Sequence, residues 1–244
     1  MVKYELDQGF GGEAKLGLIV LSTDETLENE ARQVLAGRAV SLVHTRIAAE
    51  ADVTPKALKL MENRLPAAAA LLPQGLRAIG YACTSASTVI GPERVAALLG
   101  QAQPQAAATN PISAVVAALK ALNTKQISYV SPYVKEVTAP MRGLLAEAGF
   151  ETVAEASFAQ SEDRKVARIS EESTLQAIED IAKTAPSDAV FVSCTNLRSF
   201  SILREAEQRV GRPVISSNQA LIWHMLTLAG CAPKGWGPGS LFEV

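Results

Sequence analysis

Short apolar runs alternate with longer amphipathic stretches along almost the whole chain. Leu16–Leu21, Ala39–His44, Ala78–Ala82, Gln105–Ala108, Gln126–Val130, Glu151–Ala156, Ala189–Ser193 and Val214–Ser216 have the length of strands. Between them, Thr54–Leu72, Pro92–Leu99, Ile112–Leu122, Val137–Ala148, Glu171–Thr184 and Ser199–Val210 carry apolar residues at helical spacing. Thr54-Pro55 and Asn110-Pro111 each read as a helix cap followed by proline at the first helical position, and Gly149 reads as a helix stop. Strands that alternate with helices are joined by crossovers, so the pattern predicts parallel sheets in an α/β fold.

The pattern also repeats. Leu16–Ser22 (LGLIVLS) and Gln126–Pro132 (QISYVSP) each read as a strand that opens a half, with a polar turn and a helix after it. Later in each half a strand ends in Cys-Thr, at Ile79–Thr84 and at Val190–Thr195. A polar turn opening an apolar helix follows, Thr109-Asn110-Pro111 in one half and Ser217-Asn218-Gln219 in the other. The offsets from Leu16 to Gln126, Cys83 to Cys194 and Thr109 to Ser217 are 110, 111 and 108 residues. A period this long is a domain duplication and not a solenoid. It predicts two pseudo-symmetric lobes, each a short parallel sheet flanked by helices. Residues 1–122 plus 213–244 are assigned to the N-terminal lobe and 123–212 to the C-terminal lobe. Open parallel sheets bind ligands at the carboxyl ends of their strands, which places the expected site in the interlobe cleft, with one cysteine on each side.

Composition narrows the partner. The net charge is −2 with no run of like charges, so neither nucleic acid nor an anionic membrane finds an electrostatic footprint. The apolar stretches are too short to span a bilayer, and Met1–Glu5 lacks the apolar core of a secretory signal. Three cysteines without CxxC spacing argue against a disulfide framework and for a reducing, cytoplasmic setting. Two histidines far apart in sequence, His44 and His224, make a metal site unexpected.

Chemistry concentrates at Cys83 and Cys194. Each is read as ending a strand ahead of a helix, from Pro92 onward in the first half and from Ser199 in the second. Backbone N–H groups at a helix start favour negative charge, so such a turn can lower a thiol pKa and hold a carboxylate. The hydroxyls of Thr84, Ser85 and Thr195 add donors. One strand-end cysteine would read more simply as a small buried hydrophobe; two at matching positions of a repeat point to a pair of reactive thiols. Two lobes around a cleft also describe a non-catalytic binding protein, but that reading leaves the duplicated cysteines unused.

Cys83-Thr84-Ser85 and Ser193-Cys194-Thr195-Asn196-Leu197-Arg198 resemble the two cysteine motifs of the aspartate/glutamate racemase superfamily. The nearer likeness is to its branch of maleate cis-trans isomerases, arylmalonate decarboxylases and ectoine-utilisation protein A. It extends over nearly the whole chain, through Gly17–Val20, Ser131-Pro132-Tyr133, Val166–Ile169, Val214–Ala220 and Gly237–Phe242. The resemblance implies a two-lobed, cofactor-independent enzyme, a homo-oligomer, acting on a small carboxylate or amino acid. It implies that the thiol matching Cys83 adds to substrate while the thiol matching Cys194 serves as acid and base. The decarboxylases lack the first cysteine, so the presence of both favours isomerase or racemase chemistry over decarboxylation through Cys194 alone.

Two positions depart from the isomerase pattern. Asp24 and Asp163 stand where the isomerases carry asparagine beside substrate carboxylates. An ionised aspartate only accepts hydrogen bonds, so a pair of them would repel a dicarboxylate and suit an ammonium; a turn or cap role is the other reading of each. The candidate substrate contacts are Ser22, Thr23, Asp24, Thr84, Ser85, Tyr133, Asp163, Thr195 and Asn196. Tyr133 either reaches the cleft or packs at the lobe junction. Arg46 either pairs a carboxylate or forms an internal ion pair.

Overall fold

The structure, a computed structural model, describes residues 1–7 and 9–244. The first half runs β1 (Ala14–Leu21), α1 (Leu27–Leu35), β2 (Val40–Ile47), α2 (Pro55–Ala70), β3 (Ala78–Ala82), α3 (Thr84–Ile90), α4 (Pro92–Ala102), β4 (Ala107–Thr109) and α5 (Pro111–Ala121). The second runs β5 (Gln126–Tyr133), α6 (Lys135–Glu147), β6 (Glu151–Gln160), α7 (Asp163–Val166), α8 (Glu171–Thr184), β7 (Ala189–Val192), α9 (Leu203–Val210), β8 (Val214–Ser216) and α10 (Ser217–Leu228).

The strands form two four-stranded sheets, ordered β2-β1-β3-β4 and β6-β5-β7-β8, and every pairing within them is parallel. The second order is the first repeated, so the duplication read from sequence holds at the level of topology. Helices cover both faces of a parallel sheet, which is why β3 and β7 are buried at every residue and the pattern shows no alternation there. The edge strands β2 and β6 alternate partly exposed positions instead.

All eight expected strands form, with shifted ends. The caps also follow the sequence. Thr54 Oγ1 accepts the Ala57 N–H at 3.2 Å, and Asn110 Oδ1 accepts Ile112 and Ser113 N–H at 3.1 Å each. Gly149, at φ 93°, closes α6 in the left-handed region.

Two helices were not expected, the single turn α7 and α3. α3 begins at Thr84, directly after Cys83, rather than at Pro92. Its sequence TSASTVI has no polar stripe because it is buried almost all round, which removes the periodic signal. The segment 213–244, assigned to the first lobe, divides: β8 pairs with β7 in the second sheet, while α10 packs on α5 and β3 of the first. Gly80 on β3 permits that approach, since a Cβ there would lie 2.6 Å from Met225 Sδ on α10.

Candidate active site

The carboxyl ends of β1 and β3 in one sheet and of β5 and β7 in the other lie together, and the two halves are joined there by buried polar contacts. Cys83 caps α3: its backbone is extended, and its Sγ accepts the Ala86 N–H at 3.4 Å. Cys194 is held differently. Its φ is 114°, a region that L-residues rarely occupy, and bends rather than a helix follow it. Its Sγ accepts the Asn196 N–H at 3.3 Å, and its own N–H donates to Ser217 Oγ at 3.0 Å. The expectation that both thiols precede a helix start is therefore met by Cys83 and corrected for Cys194. Asn196 and Thr195 spend their polar groups on the other half of the chain and on α10, so this segment does not begin a helix.

Both thiols are buried. Burial pushes Cys83 up to about 12, against the lowering pull of the Ala86 N–H, and holds Cys194 well above its ordinary value with the charge of Asp163 adding to it. At rest both are thiols, and each needs help to become a thiolate.

A pocket opens beside Cys83, with about 360 Å³ of empty space counting its mouth. Thr23, Ser85, Tyr133 and Asp163 form its polar wall, and Leu21, Val53, Leu58 and Met61 its apolar wall. Cys194 stands one hydroxyl behind this wall: Tyr133 Oη lies 3.2 Å from Cys194 Sγ and donates to Asp163 Oδ1 at 2.7 Å. Thr23 Oγ1 donates to Asp163 Oδ2. Among the described residues lining the pocket there is no Lys, Arg or His; Glu50 and Asp52 add acidic groups at its mouth.

The remaining expected contacts lie around this pocket and not on it. Ser22 is exposed and accepts the Ala49 N–H, so it fixes the loop after β2. Asp24 Oδ1 accepts Thr26 and Leu27 N–H at 2.9 Å each and caps the entry to α1. Burial raises the Asp24 carboxyl to about 6. Thr84 Oγ1 donates to Ser217 Oγ at 2.9 Å, and Thr195 Oγ1 to Ala82 O at 3.4 Å. Asn196 donates to Thr23 O and Asp163 O and accepts the Glu25 N–H. Arg46 takes the internal role, donating to Leu21 O and Asp24 O and pairing with Glu28 at 2.9 Å.

Three residues escaped the sequence reading. Ser217 touches both cysteine segments, through Thr84 and through the Cys194 N–H. Asn218 and Glu30 form a buried pair behind them at 2.6 Å, and Asn218 also donates to Thr195 O. Ser217 and Asn218 lie in the repeated polar turn, which was signal enough to find them; Glu30 is one of several acids in an amphipathic helix and carried none.

Comparison with known proteins sets this geometry in context. The sequence model of the family described as arylmalonate decarboxylase matches residues 16–242. The arylmalonate decarboxylase of Bordetella bronchiseptica is 28% identical over 137 residues, 55% of this chain and 57% of that protein, so the alignment spans little more than half of its length. The maleate isomerase of Alcaligenes faecalis is 24% identical over 88% of this chain and 91% of its own. Among solved structures, a cysteine-to-serine mutant of Nocardia farcinica maleate cis-trans isomerase, with a covalently bound succinylcysteine intermediate, superposes with a TM-score of 0.81 at 23% identity, covering 94% of this chain and 98% of that one.

Proposed function

The chain belongs to the arylmalonate decarboxylase family, and on that footing we propose that it is a cofactor-independent isomerase or racemase of a small carboxylate, with Cys83 and Cys194 as its working thiols. The observation that carries this reading is the placement of the thiols: one from each sheet, at equivalent strand ends, with Cys83 on the pocket wall and Cys194 in contact with that wall through Tyr133. Two sulfur groups on different sides of one substrate allow one to remove a proton from carbon while the other delivers one. They equally allow thiolate addition to a double bond, rotation about the resulting single bond, and elimination. The covalent sulfur intermediate of the Nocardia enzyme supports the second course.

The polar wall suits one carboxylate, held by the Ser85 hydroxyl, better than two, since the Thr23 hydroxyl already donates to Asp163. With Asp163, Glu50 and Asp52 around the pocket, a second carboxylate would meet like charge. An amino acid therefore fits better than maleate. Asp24 is no part of this argument, because it does not line the pocket; its Oδ1 serves the α1 turn and its Oδ2 is buried without a partner.

The apolar wall of Leu21, Val53, Leu58 and Met61 supports a second reading, a decarboxylase that seats an apolar substituent there and protonates the product from Cys194. Turnover of maleate, aspartate, glutamate, 2,4-diaminobutyrate and an arylmalonate by Cys83→Ala and Cys194→Ala separates the two. For the isomerase, each substitution abolishes turnover, and the double variant is no worse than either. Full activity in Cys83→Ala alone would hand the case to the decarboxylase.

A further inference from the structure

The Tyr133 hydroxyl stands between two groups that differ in what they can give. An ionised Asp163 only accepts, and its two oxygens take protons from Tyr133 and Thr23. The phenol has a single proton. With that proton directed to Asp163, the phenol oxygen presents lone pairs to Cys194 Sγ at 3.2 Å, so the S–H of Cys194 is the donor in that contact. The chain from Cys194 through Tyr133 to Asp163 thus runs in one direction, and all three side chains are buried.

We propose that Tyr133 and Asp163 form a proton relay for Cys194. As Cys194 becomes a thiolate, its S–H proton passes to Tyr133 Oη while the phenol proton passes to Asp163 Oδ1. The products are a thiolate and a neutral carboxylic acid. The reverse transfer restores the thiol, so the same chain serves Cys194 as base and as acid.

One negative charge leaves Asp163 as one appears on sulfur, and the charge of the site is unchanged. Loss of the Cys194 proton to solvent would instead leave thiolate and carboxylate as buried like charges in contact range of one phenol. The other titratable groups set against Cys194 are Asp24 after β1 and Tyr129 on β5, neither of them cationic. Burial first, and the charge of Asp163 second, hold the Cys194 thiol high. Cys83 is held differently, by the Ala86 N–H and beside the Tyr81 hydroxyl, with no carboxylate hydrogen-bonded to that phenol among the described residues.

The relay rests on the reading of Cys194 as a working thiol, but its test needs no substrate. The rate at which iodoacetamide alkylates each cysteine is followed against pH by peptide mass spectrometry, in the full chain, for wild type, Asp163→Asn and Tyr133→Phe. A thiol that hands its proton to an internal base reacts at a rate nearly flat in pH around neutrality. Without that base the rate climbs about tenfold per pH unit. Wild-type Cys194 is expected to show the flat profile, and both variants the climbing one, slower by about tenfold or more near neutral pH. A purely electrostatic Asp163 has the opposite sign, since removing its charge would ease ionisation of Cys194 and speed the reaction. Equal or faster labelling of Cys194 in Asp163→Asn overturns the relay, as does a wild-type Cys194 that stays unlabelled. Cys231 reports in the same samples whether the fold holds, since the Asp163 charge acts on the Cys83 thiol as well, and Tyr133→Phe decides if Asp163→Asn does not fold. Because turnover is not read, failure of the relay is distinct from failure of the two-thiol reading, which the alanine variants test.

Discussion

Glu30 lies inside α1 yet is buried, with Oε2 accepting from Asn218 at 2.6 Å and Oε1 from the N–H groups of Ser199 and Phe200. Burial outweighs these donors and lifts its carboxyl from 4.5 to about 7. Between those two values the folded chain keeps a proton that the unfolded chain has lost, so stability falls as pH rises through that window. Above it the ionised carboxylate costs about 3 kcal/mol. Glu30→Gln removes the titration. Urea unfolding of both proteins across pH should therefore give stability curves that differ by about 3 kcal/mol more above the window than below it. The difference also isolates Glu30 from Asp24, which burial pushes to about 6 with the same sign. Parallel curves would show that Glu30 titrates in the fold at its unfolded value, with no shift from burial. At this scale the sequence was legible only in part. Cys83 and Cys194 were singled out because repeat and resemblance both marked them, and Tyr133 and Asp163 because of the resemblance. Glu30 was not, because its donors lie at 199, 200 and 218 and no local pattern announces them.

The two cysteine-bearing elements show where a repeat misleads. Both strands end in Cys-Thr, and from that likeness alone both thiols were expected before helices. After Cys83 the residues Ser85-Ala86-Ser87 make no competing tertiary demand on the backbone, and α3 starts at once. After Cys194 the chain must reach the first half: Asn196 O accepts from Thr26 Oγ1 at 2.9 Å and Thr195 O from Asn218 at 2.8 Å, so these carbonyls are spent outside any helix. The turn places Cys194 at φ 114°, where a side chain is strained and glycine is not. Cys194→Gly should accordingly be more stable than Cys194→Ala by about 1 kcal/mol, although both lose the thiol. Chemical denaturation of the two variants measures it. A Cys194→Gly protein no more stable than Cys194→Ala would mean that the loop relaxes and that the strain is not held by its partners.

At the scale of the molecule, the strand count, the parallel sheets and the shared topology of the halves were all legible, because alternation of short and long apolar segments depends on chain-local physics. What was not legible is how the halves are joined, since the joining groups are polar residues in turns. Val53 N–H donates to Ser161 O at 2.8 Å and Asp163 N–H to Ala51 O at 3.1 Å, which ties the loop after β2 to the loop after β6. Asn196, beyond β7 of the second sheet, joins the turn after β1 to the loop after β6: its amide donates to Thr23 O at 3.2 Å and to Asp163 O at 3.0 Å, and accepts the Glu25 N–H at 2.8 Å. One buried side chain thus satisfies backbone groups of both halves and fixes Thr23 and Asp163 on the pocket wall. Asn196→Ala leaves those groups unpaired and should cost about 2–4 kcal/mol. Asn196→Asp should cost more, because a carboxylate would face two carbonyl oxygens with nothing to donate, close to Asp163. Its deficit should shrink as pH falls and the new acid takes up a proton, whereas the deficit of the alanine variant should not. Unfolding both variants in urea at acidic and neutral pH tests the ranking and the pH effect together. An alanine variant within about 0.5 kcal/mol of wild type, the range of a surface substitution, would show that the halves are held by other contacts.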